Sequence, residues 1–357
     1  MMNHLVGQKE NRDNNFNFLR LVLALLVILS HSPQLIDGNE NREPLARLVG
    51  FTSLGKLAVE CFFLLSGYLI VQSWLQSPHI GSFLKKRILR IYPGFIVASF
   101  LCAFVVGPLG AHAEQYFSAF WYGGFVKSVF FLKIPEVPDV FQGQPYPSVN
   151  GSMWSISLEF TCYLLVLFLG SLAIFRKKIL WLFLSIGLYS VALYAALGLP
   201  WAYFSASDPL FRLGAFFSIG GCFFLYRDFV AYKFSWALIC ALIIFLCVFV
   251  AKIHYLIFAV AGAYLLFYLA FTPVNFLKRF NRMPDVSYGV YLYGWPIQKL
   301  ILWYFPATTP AVLFIVSALM SLLLGAASWY AVEKPFMKLR SFPIGRSIFS
   351  SSVQTRL

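Results

Sequence analysis

Arg20 and His31 stand eleven residues apart in one apolar run, and eleven steps of 100° bring both to one face of a helix, about 16 Å apart along its axis. An imidazole changes charge near neutral pH, so His31 lining an interior cavity is a candidate general base. Against lipid headgroups it would be a boundary residue only. Glu159 closes the segment Trp154-Ser155-Ile156-Ser157-Leu158-Glu159, in which Ser155 and Glu159 share a helix face. A buried carboxylate needs a partner. At the depth expected for His31, Glu159 would hold the imidazole in one tautomer, as carboxylates do in hydrolase triads. The alternative partner is Arg212. Glu60 precedes Phe62-Phe63-Leu64-Leu65-Ser66-Gly67, where Gly67 permits close helix approach and Ser66 can bond across helices or serve as packing glue. Ser66, Ser155, Arg212 and Tyr293 are the candidate donors to a developing oxyanion.

A second group is basic. Lys85-Lys86-Arg87-Ile88-Leu89-Arg90-Ile91-Tyr92-Pro93 places Arg87 and Arg90 three apart, so both guanidinium forks can face one phosphate-bearing ligand, and Pro93 is expected to end or kink the segment. The same charges also serve as a topology signal. Ser287-Tyr288-Gly289-Val290-Tyr291-Leu292-Tyr293-Gly294-Trp295-Pro296 interrupts an apolar run with one Pro and two Gly, which suggests a broken helix lining a cavity. Glu333-Lys334-Pro335-Phe336 reads as a capped helix end with a local ion pair.

These residues must be positioned by membrane helices. The chain is 60% hydrophobic and only 12% charged over 357 residues, too little charge for a water-facing surface of this size. Ten apolar runs are long enough to span a bilayer, at roughly 17–35, 55–75, 94–111, 155–175, 179–197, 208–226, 234–252, 254–272, 287–304 and 310–332. Lipid cannot satisfy an open backbone, so the fold class is all-α, a polytopic integral membrane bundle of about ten helices. The first run lacks a small-x-small cleavage site and is expected to be retained. The net charge of +14 resides mostly in alternate loops and both tails, whereas the opposite loops hold only Arg42, Arg47, Lys56, Lys127, Lys133 and Lys252. That bias places both termini in the cytoplasm, and it explains the charge without nucleic acid. The stretch 112–154 is the longest on the other side, with an aromatic middle suited to a re-entrant or interfacial piece. Residues 1–340 form one membrane domain, and 341–357 a mobile cytoplasmic tail. The six cysteines lie in apolar runs without metal spacing and read as packing residues outside any disulfide framework.

Taken together, the segments resemble the membrane acyltransferase-3 family. The resemblance rests on Arg20 to His31, on Phe62, Phe63, Ser66 and Gly67, on Arg87, Arg90, Ile91 and Pro93, on Trp154, Ser155 and Glu159, on Ser287 through Pro296, and on Glu333 to Pro335, all in order over most of the chain. It implies a stand-alone O-acyltransferase of a bacterial inner membrane. Such an enzyme moves an acyl group, most often acetyl, from cytoplasmic acyl-coenzyme A to a hydroxyl of an extracytoplasmic polysaccharide or lipid-linked sugar. On that reading acetyl-CoA is the donor, no metal is needed, and the partners are donor, sugar acceptor and membrane lipid. Arg20, Lys85, Arg87 and Arg90 would hold the coenzyme A phosphates, with His31 as base and Glu159 orienting it. The alternative is a transporter or flippase of a lipid-linked sugar, in which His31 and Glu159 relay protons.

Overall fold

The computed structural model describes residues 14–111, 113–196, 209–247 and 257–341, and every regular element among them is helical. Ten long helices follow the ten expected spans. They are α1 (Phe16–Asp37), α2 (Leu54–Gln76), α3 (Ile80–Leu109), α4 (Trp154–Ser171), α5 (Lys178–Ala196), α6 (Pro209–Leu225), α7 (Phe234–Cys247), α8 (Phe258–Phe271), α9 (Ser287–Tyr304) and α10 (Pro310–Ser341). Six of them are long and apolar enough to cross a membrane, and α6, α7 and α8 are shorter apolar helices. The loop-side ends of the fifth to eighth expected spans, Lys252 and the tail from 342 onward lie outside the described residues.

Local signals set the helix ends. Gly38, in the left-handed region at φ 78°, stops α1 with its N–H on the Gln34 carbonyl. Ser53 caps α2 through the Lys56 N–H, and Thr309 caps α10 with Pro310 in the first turn. Glu43, wholly buried between α1 and α2, accepts from Ala46 N at 2.6 Å and Leu54 N at 2.9 Å, so one carboxylate caps two helix starts.

The most buried long helix is α2, which packs on α1, α4 and α6. Its contact with α6 is backbone on backbone. A Cβ on Gly67 would lie 1.8 Å from the Phe217 carbonyl oxygen, and one on Gly220 would lie 2.0 Å from that of Leu64. Small residues on both sides let two helices touch this closely. Gly67→Ala must therefore push α6 away from α2. We expect it to cost about 3 kcal/mol and to reduce the folded fraction in detergent, read by thermal unfolding. A melting curve like that of the wild type would show that the two helices tolerate separation. Outward faces remain apolar, as with Leu242 and Phe245 on α7 and Leu319 and Leu323 on α10, which suits contact with lipid.

Three expectations about local breaks are corrected. Pro93 does not end the helix of the third span. Instead α3 is continuous from Ile80, carries the basic cluster inside itself, and is loosened only by a π-turn at Cys102–Val106. The ninth span is also unbroken, with Pro296 inside α9. In α9 the Leu292 carbonyl, which Pro296 leaves without its helical donor, accepts from Asn150 Nδ2 at 2.8 Å, and in α3 Tyr288 OH donates to the Ile91 carbonyl near Pro93 at 2.9 Å. Gly289 and Gly294 serve close packing against Gly325 and Ile28. Glu333 makes no local ion pair. The helix runs on through a π-turn there, and its carboxylate reaches Arg90 on α3.

Within the long loop, Ala113–Ser118 and Tyr122–Phe130 form two short helices whose aromatics build a second core cluster with Cys102, Val106 and Phe141. The rest of the loop is stitched to α9. Trp295 Nε1 donates to the Ser148 carbonyl at 3.1 Å, Lys299 Nζ to that of Pro145 at 2.9 Å, and Tyr291 OH to that of Ser152 at 2.6 Å. These bonds carry the start of α4 down to the level of Tyr291, so Ser155 and Glu159 lie deep in the bundle.

Candidate active site

A cavity of about 220 Å³ lies between α1, α2, α3, α4 and α9, and Arg340 at the end of α10 also lines it. One end is basic, with Arg20, Arg87, Arg90 and Arg340. The other is lined by Ser66, Ser155, Glu159 and Tyr291, with Tyr163 between Glu159 and Arg87 and with Phe62 and Phe63 as apolar wall.

The basic end is ordered by carboxylates. Arg90 places one guanidinium nitrogen 2.7 Å from Asp285 Oδ2 and another 3.1 Å from Glu333 Oε2, with its plane between the rings of Tyr288 and Trp329. Arg20 shares Asp285 at 3.0 Å, and Ser287 Oγ donates to the remaining Asp285 oxygen at 2.5 Å. Asp285 lies just before α9. Burial works against its charge, but Arg90 and Arg20 override that and hold the carboxyl down to about 2. Arg87 donates to Ser73 Oγ at 3.1 Å and lies over the rings of Phe83 and Tyr163.

At the far end Glu159 accepts from the hydroxyls of Ser66 and Tyr163, the latter at 2.5 Å. Tyr163 is four residues after Glu159 on the same helix face, and Ser66 comes from the middle of α2. Ser155 Oγ donates to Tyr291 OH at 2.7 Å, since the tyrosine proton is committed to the Ser152 carbonyl. The two ends thus join a set of guanidinium groups to a set of hydroxyls around one carboxylate.

His31 is placed differently from the expectation. No hydrogen bond or ion pair joins it to Glu159, whose bonds go to Ser66 and Tyr163. The two residues differ in height as well as in the face they occupy, since Ser155, one turn before Glu159, meets Tyr291, whereas His31 meets Trp295 one turn further out. His31 is half-buried and meets Trp295 edge-on, with ring centroids 4.9 Å apart. Trp295 follows Tyr291 by four residues, so the imidazole lies roughly 6 Å of helix rise beyond the cavity, beneath the stitched loop. It has no hydrogen-bond partner among the described residues, whereas an imidazole retained only for structure is normally bonded.

Arg212 and Tyr293 do not line the cavity. Arg212 is held 2.5 Å from Glu60, a buried pair between α6 and α2, and Tyr293 turns toward Ser328 on α10. Lys85 is also outside the lining, because the helix face that carries Arg87 and Arg90 inward turns it away. Sequence reasoning missed Tyr163, Asp285 and Arg340 as site residues, whereas Tyr288 lies in the run expected to line a cavity. Tyr163 was detectable from its four-residue spacing to Glu159, and Asp285 from the scarcity of acidic residues beside the Ser-Tyr motif. Arg340 gave no signal beyond its charge.

A family model described as an acyltransferase domain matches residues 13–330, nearly the whole chain. The chain belongs to the acyltransferase-3 family. Among relatives of this acyltransferase-3 chain, a protein named O-acetyl transferase from Shigella phage Sf6 is 28% identical over 93% of this chain and 98% of its own. Nodulation protein 10 of Rhizobium leguminosarum bv. viciae is 29% identical over 94% and 96%. Acyltransferase MdmB of Streptomyces mycarofaciens is 30% identical over 41% of this chain and 36% of its own. No solved structure matches significantly. The protein is thus a helical membrane acyltransferase, and the cavity with its basic end is the candidate active site of an acyltransferase-3 fold.

Proposed function

We propose that the protein transfers an acyl group, most often acetyl, from cytoplasmic acyl-coenzyme A to a hydroxyl of an extracytoplasmic polysaccharide or lipid-linked sugar, in a bacterial inner membrane with both termini inside. The observation that carries this reading is the cavity itself, basic at one end and hydroxyl-rich at the other. At about 220 Å³ the cavity is smaller than pockets that enclose a whole drug-sized ligand, about 300–1,000 Å³, so it would take the narrow arm of a thioester and leave the nucleotide at the arginine mouth. The printed name of the phage relative, O-acetyl transferase, favours an oxygen acceptor and an acetyl group.

In the proposed reaction the thioester arm extends past Glu159 toward Ser155 and Tyr291. The acceptor enters from the loop end, and its hydroxyl gives a proton to His31. The freed oxygen attacks the thioester carbonyl, the acyl–sulfur bond breaks, and coenzyme A leaves as the thiolate. Ser66 and Ser155 line this path and would stabilise the oxyanion by turning their hydroxyl protons to it from Glu159 and Tyr291. Glu159 orients Ser66 and Tyr163 in this scheme, replacing the role of aligning His31.

The test uses protein reconstituted in vesicles with radiolabelled acetyl-CoA on the side of the basic end and glycan extract on the other. Label in the glycan, lost when the sample is treated with mild alkali that cleaves esters, is the expected result. Free acetate alone, or glycan crossing the bilayer without label, would overturn the reading.

A further inference from the structure

The four arginines at the mouth of the cavity are not equivalent. Arg90 is matched by Asp285 and Glu333, and Arg20 by Asp285. Arg87 bonds only the neutral Ser73 hydroxyl, and its Nε is buried without an acceptor. Arg340, in the last turn Leu339–Ser341, is in the same state: its Nε is buried without an acceptor, and no carboxylate pairs with it among the described residues. Both line the one cavity, and Arg340 feels the positive charge of Arg90 first and of Arg87 second. Buried donors are normally satisfied, and unpaired like charges held together in a cavity lining call for an anion. Ring contacts with Phe83 and Tyr163 fix the plane of Arg87, so its free edge has a set direction.

Resting on the acyl-coenzyme A reading above, we infer that Arg340 and Arg87, rather than Arg90, hold the phosphates of the donor, and that the segment Leu339–Ser341 forms one lip of the donor site. The lip makes the site selective for thioesters of a phosphorylated nucleotide over thioesters of the bare pantetheine arm. Arg90, already neutralised by two carboxylates, has no net charge to offer and shapes the floor.

Reconstituted full-length protein carrying Arg340→Gln tests this with two donors, acetyl-CoA and S-acetyl-pantetheine. The expected result is a KM for acetyl-CoA raised about tenfold, with KM for S-acetyl-pantetheine unchanged. The ratio of the two is independent of how much of the variant folds. Arg340→Lys should recover part of the loss, since it keeps the charge but not the fork. An unchanged ratio overturns the inference. So does a variant that keeps its donor KM but retains less anionic phospholipid through purification, which would give the pair to a lipid headgroup. A wild-type protein that binds no coenzyme A sinks the acyl-coenzyme A reading and this inference together, a result distinguishable from equal binding by wild type and variant.

Discussion

His31→Ala should leave a folded bundle that transfers acyl groups at least 100-fold more slowly than the wild type. General-base catalysis by a positioned side chain contributes typically about 10²–10⁴ in rate, and the nearby amine of Lys299 is committed to the Pro145 carbonyl. The fold should tolerate the change, because the ring makes no hydrogen bond and its recorded contact is the edge of Trp295. The variant should therefore unfold within a few degrees of the wild type while label transfer to glycan disappears. Two results would exclude the base role: transfer at the wild-type rate, or loss of transfer only in parallel with loss of folded protein. Free imidazole added from the loop side should restore part of the activity if the alanine leaves room beside Trp295.

Arg90→Gln should have the largest effect on stability. The substitution leaves Asp285 and Glu333 facing one another without the group that neutralises both, and breaking a buried ion pair from one side costs about 3–5 kcal/mol. Asp285 shows the dependence directly. Its carboxyl is held below the ordinary range, so its stabilising contribution is complete above the unfolded value and is lost as pH falls through about 2. Without Arg90 that loss should move to higher pH. Thermal unfolding in detergent as a function of pH measures both effects. Pairing Arg90→Gln with Glu333→Gln should restore much of the stability, because Asp285 keeps Arg20 as its partner and no carboxylate is left facing an uncompensated site. An Arg90→Gln protein as stable as the wild type would show that the triad lies in a more solvated setting than its burial indicates.

The contrast between these two residues shows what spacing conveys. Arg20 and His31 do share one side of α1, as eleven residues of helix require, yet the partner of His31 was assigned to the wrong helix. Neither the depth at which one helix starts relative to another nor its rotation against that neighbour can be counted along a sequence. Glu159 turns toward α2 and Tyr163, while His31 turns toward α9 and Trp295. The same limit explains Arg212, whose acid partner is Glu60 on α2. Pro93 and Pro296 mislead for a related reason: proline weakens an isolated helix, but in a bundle other side chains hold the backbone around it.

By itself, the sequence determined that this is a helical membrane bundle, because only apolar runs of that length can replace water with lipid and still satisfy their own backbones. It also singled out Arg20, Arg87, Arg90, Ser66, Ser155 and Glu159 as polar groups among apolar runs, and the fold brings all six to one cavity. Tertiary structure alone decided which of them meet. It brought Arg340 from the far end of the chain to Arg87, set Asp285 and Glu333 against Arg90, and separated His31 from Glu159. Those outcomes depend on backbone contacts such as Gly67 on Phe217, where the absence of a side chain fixes the distance and rotation of entire helices.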